Sequence, residues 1–459
     1  MLSTTLTPHR EYLLAQSPGQ KLFLTLTLRP DAQAEAARAQ LSVAFVVDTS
    51  GSMREVVTEP TGYTGQTTVV DGKRYEVVEG GKSKMDVVEE ALLGVLEADT
   101  MHSDDRLALV KFDDHAEVLL PFTSLRERAD LRGAVEQLKS FSGGTRMGAG
   151  LERALELLRD ESGSRRMVLL TDGQTFDEEL ARRVGETLAQ EQIPVTAIGV
   201  GEDWNEALLT ELTDRTQGKP FYVVPNAHAK PPAVGLEQLP RELLADLAHT
   251  ASEVVTNVNL SVRTVQKVVL ERITRVYPTQ NEVNREAQPF FLGNAEAGDE
   301  TLFLLEFTLP TRPPARMRLA QLGLTYQVPG ADFRGELPPL DVVVEFTADE
   351  SLAGQIDPEV MRWVQQRNLE GLIEQATRQA ERDPAQAQKT MELARAMTVK
   401  LGNGVMTQAL DRAIGELKDG KTVSLGTAKT LKIGAKTQTL RAGEQSLPSD
   451  EEIRKMTGA

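Results

Sequence analysis

Leu41-Ser42-Val43-Ala44-Phe45-Val46-Val47-Asp48-Thr49-Ser50-Gly51-Ser52 is the stretch on which the fold turns. Its first seven residues form an aromatic and β-branched run, the composition of a strand buried on both faces. Polar and small residues follow at once: a carboxylate, then hydroxyls beside a glycine. Downstream, Met85, Val88, Leu92, Val95 and Leu96 repeat at helical spacing within 84–98. Residues 107–112, 118–120, 167–170 and 195–200 read as further strands, and 125–138, 147–158 and 177–189 as helices. Short apolar strands separated by helices predict an α/β domain over 41–250, a parallel sheet with helices on both faces.

The period changes after Thr250. Segments at 257–262, 267–273, 301–309, 317–328 and 340–346 are strand-like and separated by Pro, Gly and Asn-rich turns, the pattern of an antiparallel β-sandwich over 254–348. Residues 21–29 alternate similarly, with Leu22, Leu24, Leu26 and Leu28 on one face. A strand that regular needs a sheet to pair with. Residues 1–40 are therefore expected to join the sandwich, leaving the α/β domain inserted into it. From 353 the period is helical: Asp357-Pro358 and Asp383-Pro384 are N-cap and first-turn signals, and Gly402-Asn403-Gly404 separates a third helix. Residues 353–419 read as a C-terminal helical bundle. Residues 420–459 lack apolar periodicity and read as a flexible Thr/Lys-rich tail.

The 459 residues are 40% hydrophobic and 26% charged, a globular composition long enough for about three folding units. Lys and Arg number 51 and Asp and Glu 68, and the formal charge of −17 argues against nucleic acid and anionic membrane as partners. The lack of cysteine removes disulfides, thiolate metal sites and cysteine nucleophiles. No window offers the ~20 apolar residues of a membrane helix, and residues 1–10 have no apolar core of the secretory type. A reducing, cytoplasmic setting is expected.

Chemistry concentrates at the end of the first strand. Asp48, Ser50 and Ser52 place three oxygens around one point, outside the carboxyl end of a parallel strand, where ligands of such sheets gather. Oxygen-only ligation suits a hard divalent cation, Mg²⁺ first, with Mn²⁺ or Ca²⁺ as substitutes. Matching groups stand in Ser142-Gly143-Gly144-Thr145, before the helix at Met147, and in Thr171-Asp172-Gly173, after the strand from Met167. Together these segments resemble the metal-ion-dependent adhesion site of the von Willebrand factor A (VWA) family, with its three dispersed motifs in order between Leu41 and about Val224. The resemblance implies a Rossmann-like, doubly wound domain of a bacterial multidomain member. In it Ser50 and Ser52 bind the metal directly, Thr145 directly in one state, and Asp48 and Asp172 directly or through water. It also implies a protein-binding scaffold or signalling adaptor rather than an enzyme. Hydroxyl ligands leave the metal much of its charge, and an Asp or Glu of a partner protein completes its shell. Ser and Asp after a strand are also ordinary helix caps, but the two distant motifs weigh against that. Thr49 is expected to point away.

One departure stands out. The family runs from this turn almost directly into its first helix, whereas residues 54–82 intervene here. Asp71-Gly72 between two β-branched runs is a strong hairpin signal. A hairpin at the mouth of the site either selects partners or is a tolerated surface insertion. Gly81-Lys82-Ser83 has Glu76 where a phosphate-binding loop needs glycine, and Gly199-Val200-Gly201 has Trp204 where a dinucleotide fingerprint has its third. The five histidines are scattered and offer no zinc-hydrolase spacing. Lys421, Lys429, Lys432, Lys436 and Arg441 form the one basic island, with Thr427, Thr430 and Thr437 as candidate phospho-acceptors for a serine/threonine kinase and an Arg-lined phosphothreonine reader. A solvated linker is the plainer reading of that island. Two other functions compete: an adaptor of an AAA+ ATPase, in the manner of chelatase subunits, and a Mg²⁺-dependent phosphohydrolase with Asp48 as nucleophile. Against the latter, Ser50 stands where that chemistry places a second acid.

Overall fold

The computed structural model describes residues 2–31, 40–70, 73–98, 101–225, 229–329, 334–419 and 422–439. The chain divides into two units. One comprises Gln33–Thr256 with Val328–Asp332, the other Met1–Ala32, Asn257–Gln327 and Phe333–Ala459, so the first interrupts the second in sequence.

The first unit is built on a seven-stranded sheet. Its order is Val234–Gly235, Lys219–Val224, Val195–Val200, Ser164–Thr171, Leu41–Asp48, Arg106–Phe112 and Ala116–Ser124. Neighbours are parallel except the last pair. All eight residues of Leu41–Asp48 are buried, because the strand lies inside the sheet and both of its faces are covered. On one face Leu41, Val43, Phe45 and Val47 join a core with Val88, Leu92 and Val95 of the helix Lys84–Glu97 and Leu243 and Leu247 of Leu239–Ala251. The helix Met147–Arg159 packs on the same strand. Leu41–Asp48 and Ser164–Thr171 are neighbours, and later strands extend the sheet away from each on opposite sides. The carboxyl ends of these two strands therefore flank the topological switch point, where an open α/β sheet has its crevice.

Between the first strand and its helix the chain folds Gly62–Val70 against Lys73–Glu79 as a separate two-stranded antiparallel sheet. The Asp71-Gly72 turn expected there lies outside the described residues.

Helix Met147–Arg159 also packs on Glu178–Gln190. Gly148 allows that approach: a Cβ there would stand 2.7 Å from the Ala181 nitrogen and 2.9 Å from the Asp177 carbonyl oxygen. Both are backbone atoms and cannot swing aside. Gly148→Ala is expected to lower the stability of this unit by ~1–3 kcal/mol, read from the denaturant midpoint of amide-exchange protection in Met147–Arg159. An unchanged midpoint would mean that the two helices separate at no cost.

In the second unit, Gln20–Pro30 pairs with Leu2–Pro8 on one edge and with Thr301–Leu309 on the other, Leu24 opposite Leu305. Val269–Tyr277 and Asn281–Glu282 complete this five-stranded sheet. Leu22, Leu24, Leu26 and Leu28 are all at most 1% exposed, each contributing ~2 kcal/mol by transfer from water. A second sheet runs Phe290–Glu296, Glu253–Thr264, Ala315–Gln327, Leu340–Thr347 and Tyr12–Leu14, with Arg334–Glu336 beside Ala315–Gln327. Strands from the start of the chain thus enter both sheets.

A short helix, Glu350–Ala353, leads into four longer ones: Pro358–Ala380, Pro384–Leu401, Gly404–Lys418 and Leu425–Thr437. Asp357, Asp383 and Asn403 cap the first three through their side-chain oxygens, and Gly402 ends the second with a φ of 75°. Val360, Trp363 and Val364 of the first helix pack with Val276, Leu302 and Leu304 of the five-stranded sheet.

The fourth helix corrects the expectation of a flexible tail. Leu431 and Ala435 belong to the same core as Leu410, Ala413 and Leu417. Lys429 and Lys436 are also buried, and Lys436 Nζ lies 2.8 Å from Glu370 Oε1. The helix escapes a pattern search because its inner face is made partly of glycine, threonine and lysine stems, which cover apolar surface while their charges find partners. The three candidate phospho-acceptors lie on this helix. Thr430 is 9% exposed; the Thr427 hydroxyl donates to Glu416 Oε1 at 2.6 Å and that of Thr437 to the Ile433 carbonyl at 3.0 Å. Residues 440–459 lie outside the described residues.

Candidate metal centre

The site forms where the first strand stops being apolar. Asp48, its last residue, is fully buried. Its Oδ1 accepts from the Ser50 N–H at 2.9 Å, which shapes the turn, and its Oδ2 from the Thr171 hydroxyl at 2.7 Å, which ties it to the neighbouring strand. The turn then sets the Ser50 and Ser52 Oγ atoms 3.1 Å apart, and Ser52 Oγ donates to Asp172 Oδ1 at 2.8 Å. Asp48, Ser50, Ser52 and Asp172 are therefore joined in one hydrogen-bonded cluster. Thr49 turns away, its hydroxyl donating to the Phe112 carbonyl at 3.1 Å and to Asp113 Oδ2 at 3.3 Å.

Thr145 reaches the same corner through backbone contacts. The Gly51 N–H donates to the Gly143 carbonyl at 3.0 Å, laying the second loop on the turn. The Thr145 carbonyl accepts from the Phe176 N–H at 3.0 Å and from the Thr175 hydroxyl at 3.2 Å, binding the second loop to the third. Asp177 supports both: its carboxylate accepts from the N–H groups of Gly148 at 2.9 Å and Ala149 at 3.0 Å, capping the helix that follows Thr145. Thr171 enters the sequence reading only as part of the third motif, and Thr175 and the capping role of Asp177 escape it because capping residues of this type are common everywhere in the chain. Lys84 is a further residue that sequence reasoning misses: its Nζ lies 2.8 Å from Asp172 Oδ2.

The donor set suits a hard divalent ion. Octahedral Mg²⁺ at ~2.0–2.1 Å sets adjacent oxygens about 2.9 Å apart, between the 2.8 Å and 3.1 Å of the Ser52–Asp172 and Ser50–Ser52 pairs. The carboxylates also call for a cation. Burial, and after it the charge of Asp172, push the Asp48 carboxyl up to about 7 against the hydrogen bonds from Ser50 and Thr171. Burial opposes the charge of Lys84, but Asp172 and Glu55 outweigh it and hold the ammonium above its ordinary range. Among the described residues no three His, Cys, Asp or Glu side chains gather as a metal cluster, so an ion here would depend on the serine and threonine hydroxyls.

Beside Ser52 opens a cleft of about 580 Å³. Gly51, Ser52, Arg54 and Glu55 line one side, and Tyr63, Thr68 and Tyr75 of the inserted hairpin the other. Tyr63 is 70% exposed, as is Phe176, at 79%, on the third loop.

Comparison with known proteins gives the following. Residues 42–231 match the von Willebrand factor type A domain, and residues 358–441 match the Sll0103-like C-terminal alpha-helical domain. The protein sll0103 of Synechocystis sp. is 23% identical over 364 residues, covering 78% of this chain and 79% of its own. Among solved structures, a von Willebrand factor type A protein from Catenulispora acidiphila superposes with a TM-score of 0.75 at 18% identity, covering 96% of this chain and 97% of that one. The ArnB paralog VWA2 from Sulfolobus acidocaldarius gives 0.60 at 13%, covering 96% and 100%. These likenesses extend over both units, and no helix among the described residues is long and apolar enough to cross a membrane. On its three motifs, its sheet order and its family match, the segment 42–231 is a von Willebrand factor type A domain.

Proposed function

We propose that this chain is a divalent-metal-dependent protein-binding module, in which Ser50, Ser52 and Thr145 hold the ion with Asp48 and Asp172, directly or through water. The observation that carries this reading is the hydrogen-bonded cluster of Asp48, Ser50, Ser52 and Asp172 at the switch point, with an open cleft beside it. When bound, the ion supplies an electrophilic seat for a carboxylate. The protein's own part is to fix the two serine hydroxyls and keep both carboxylates buried. A partner would present an Asp or Glu to the metal and rest an adjoining side chain in the cleft, so the hairpin selects which protein binds. Mg²⁺ is the ion we assign by hardness, and the cytoplasm the location that the cysteine-free composition favours.

A phosphohydrolase fits less well. Both Asp48 oxygens accept hydrogen bonds and the side chain is fully buried, so it cannot swing out as a nucleophile. An ATPase adaptor would use the same surface and differs only in the identity of its partner.

The test is capture from the native host on immobilised full-length chain, in Mg²⁺ and in chelator, with the wild type beside a hairpin-excised variant. The excision removes Gly62–Glu79 and joins Thr61 to Gly80, whose neighbourhood is already closed by the 2.8 Å hydrogen bond from the Thr61 N–H to the Glu79 carbonyl. Expected are partners eluted by chelator from the wild type, and loss of them by about tenfold or more from the excised chain, with Mg²⁺ affinity held within about threefold. Capture indifferent to chelator would overturn the proposal.

A further inference from the structure

Asp172 has two neighbours, and only one of them belongs to the ligand set. Its Oδ1 accepts from Ser52, while its Oδ2 lies 2.8 Å from Lys84 Nζ. Lys84 is the first residue of the helix Lys84–Glu97, brought to the site where the chain returns from the inserted hairpin. Its N–H donates to the Glu55 carbonyl at 3.0 Å, and its Nζ lies 2.6 Å from Glu55 Oε2. The stem runs against the end of the strand Val195–Val200: a Cβ on Gly201 would come 3.5 Å from both Cε and Nζ. Lysine is almost never fully buried unless paired, and this one is 5% exposed. It is a fixed charge rather than a mobile arm.

Resting on the metal reading above, we infer that Lys84 is a built-in counter-charge that trades affinity for the cation against the cation's attraction for an anion. Two ionised carboxylates, Asp48 and Asp172, would together neutralise a divalent ion. Lys84 draws on one of them and leaves the centre net positive. Glu55 offsets this only in part, because its side chain is 41% exposed and water screens it, whereas the Lys84–Asp172 pair is buried and screened much less. A positive charge held one carboxylate away repels the cation and attracts whatever carboxylate comes to complete its shell. The two affinities are thus coupled with opposite signs. A lysine that merely braced the loop would behave otherwise, since its loss would slacken the site and weaken both.

The deciding experiment uses Lys84→Gln, which keeps a donor for Asp172 without the charge. Mn²⁺ affinity of the full chain is measured by calorimetry, and anion affinity by the line broadening of ¹³C-acetate on the Mn²⁺-loaded protein. The expected result is Mn²⁺ binding tighter by about tenfold or more and acetate binding weaker by about threefold or more. Both weaker, or neither changed, overturns the inference. Glu55→Gln gives a second test on an accessible side chain, with the sign reversed: Mn²⁺ binding falls severalfold. If Lys84→Gln does not fold, an unchanged affinity in Glu55→Gln overturns the inference by itself. A wild type that binds no Mn²⁺ removes the metal reading and this inference together; a wild type that binds, with variants that do not shift, removes only this one.

Discussion

Replacing Asp48 by asparagine is expected to weaken divalent-metal binding about 100-fold or more and to leave the metal-free protein at least as stable as the wild type. The first half follows from charge. Asparagine offers one neutral oxygen in place of a carboxylate at the base of the cluster, and an affinity loss of about 100-fold or more is expected. The wild type in Mg²⁺ at 1,000 times its Kd gains ~4 kcal/mol of stability, and a variant weakened 100-fold or more gains at most ~1.4 kcal/mol. The second half follows from the hydrogen bonds. The asparagine Oδ1 still accepts from the Ser50 N–H, and the Thr171 hydroxyl turns from donor to acceptor for the new amide.

The pH dependence carries a sign that checks this account. The Asp48 carboxyl sits at about 7 in the folded chain against an ordinary 3.8, so between those values the native state binds the extra proton. A carboxyl whose folded value is raised costs stability as pH rises through that window. The metal-free wild type should therefore lose stability between pH 4 and pH 7 relative to Asp48→Asn, and Mg²⁺ should restore it. Melting curves of both proteins across that range, with and without Mg²⁺, provide the measurement. A variant that still binds Mg²⁺ at wild-type strength, or one markedly less stable in chelator at pH 8, would sink the assignment of Asp48.

The sheet and the segments of the candidate site were legible because their signals are local. A strand buried on both faces has no polar positions, so Leu41–Asp48 announces itself, and each motif sits within five residues of a strand or helix end. The resemblance to the VWA family then linked three segments that composition could not. Lys84 was hidden for the opposite reason: a lysine at a helix start reads as solvent-facing, and only the fold brings Asp172 and Glu55 to it. The joining of 21–29 to later strands was read from a need, an unpaired strand wanting a sheet. Its register, Leu24 opposite Leu305, came from the fold alone. Phe290–Glu296 went unread because Gly293 and Asn294 interrupt its alternation.

The helix Leu425–Thr437 is where sequence pattern misled, and it yields the other large expected effect. Leu431 is fully buried in the bundle core, while Leu425, on the same helix, is 67% exposed. Leu431→Ala should cost ~2–5 kcal/mol by lost transfer energy and the cavity left behind, and Leu425→Ala should stay within ~0.5 kcal/mol. Ending the chain at residue 419 goes further, since it uncovers Leu410, Ala413 and Leu417 at once. Because the chain has two units, one melting curve does not isolate this effect. Amide exchange in Gly404–Lys418 does, since its protection reports the free energy of local opening. Protection there should collapse in the truncated chain and fall in Leu431→Ala, while Leu41–Asp48 in the other unit keeps its rates. Unchanged protection in Gly404–Lys418 after truncation would return these residues to the status of a solvated linker. A flexible segment has no side chain whose removal opens a hole; a fourth bundle helix has at least one, and Leu431 is where the two accounts part.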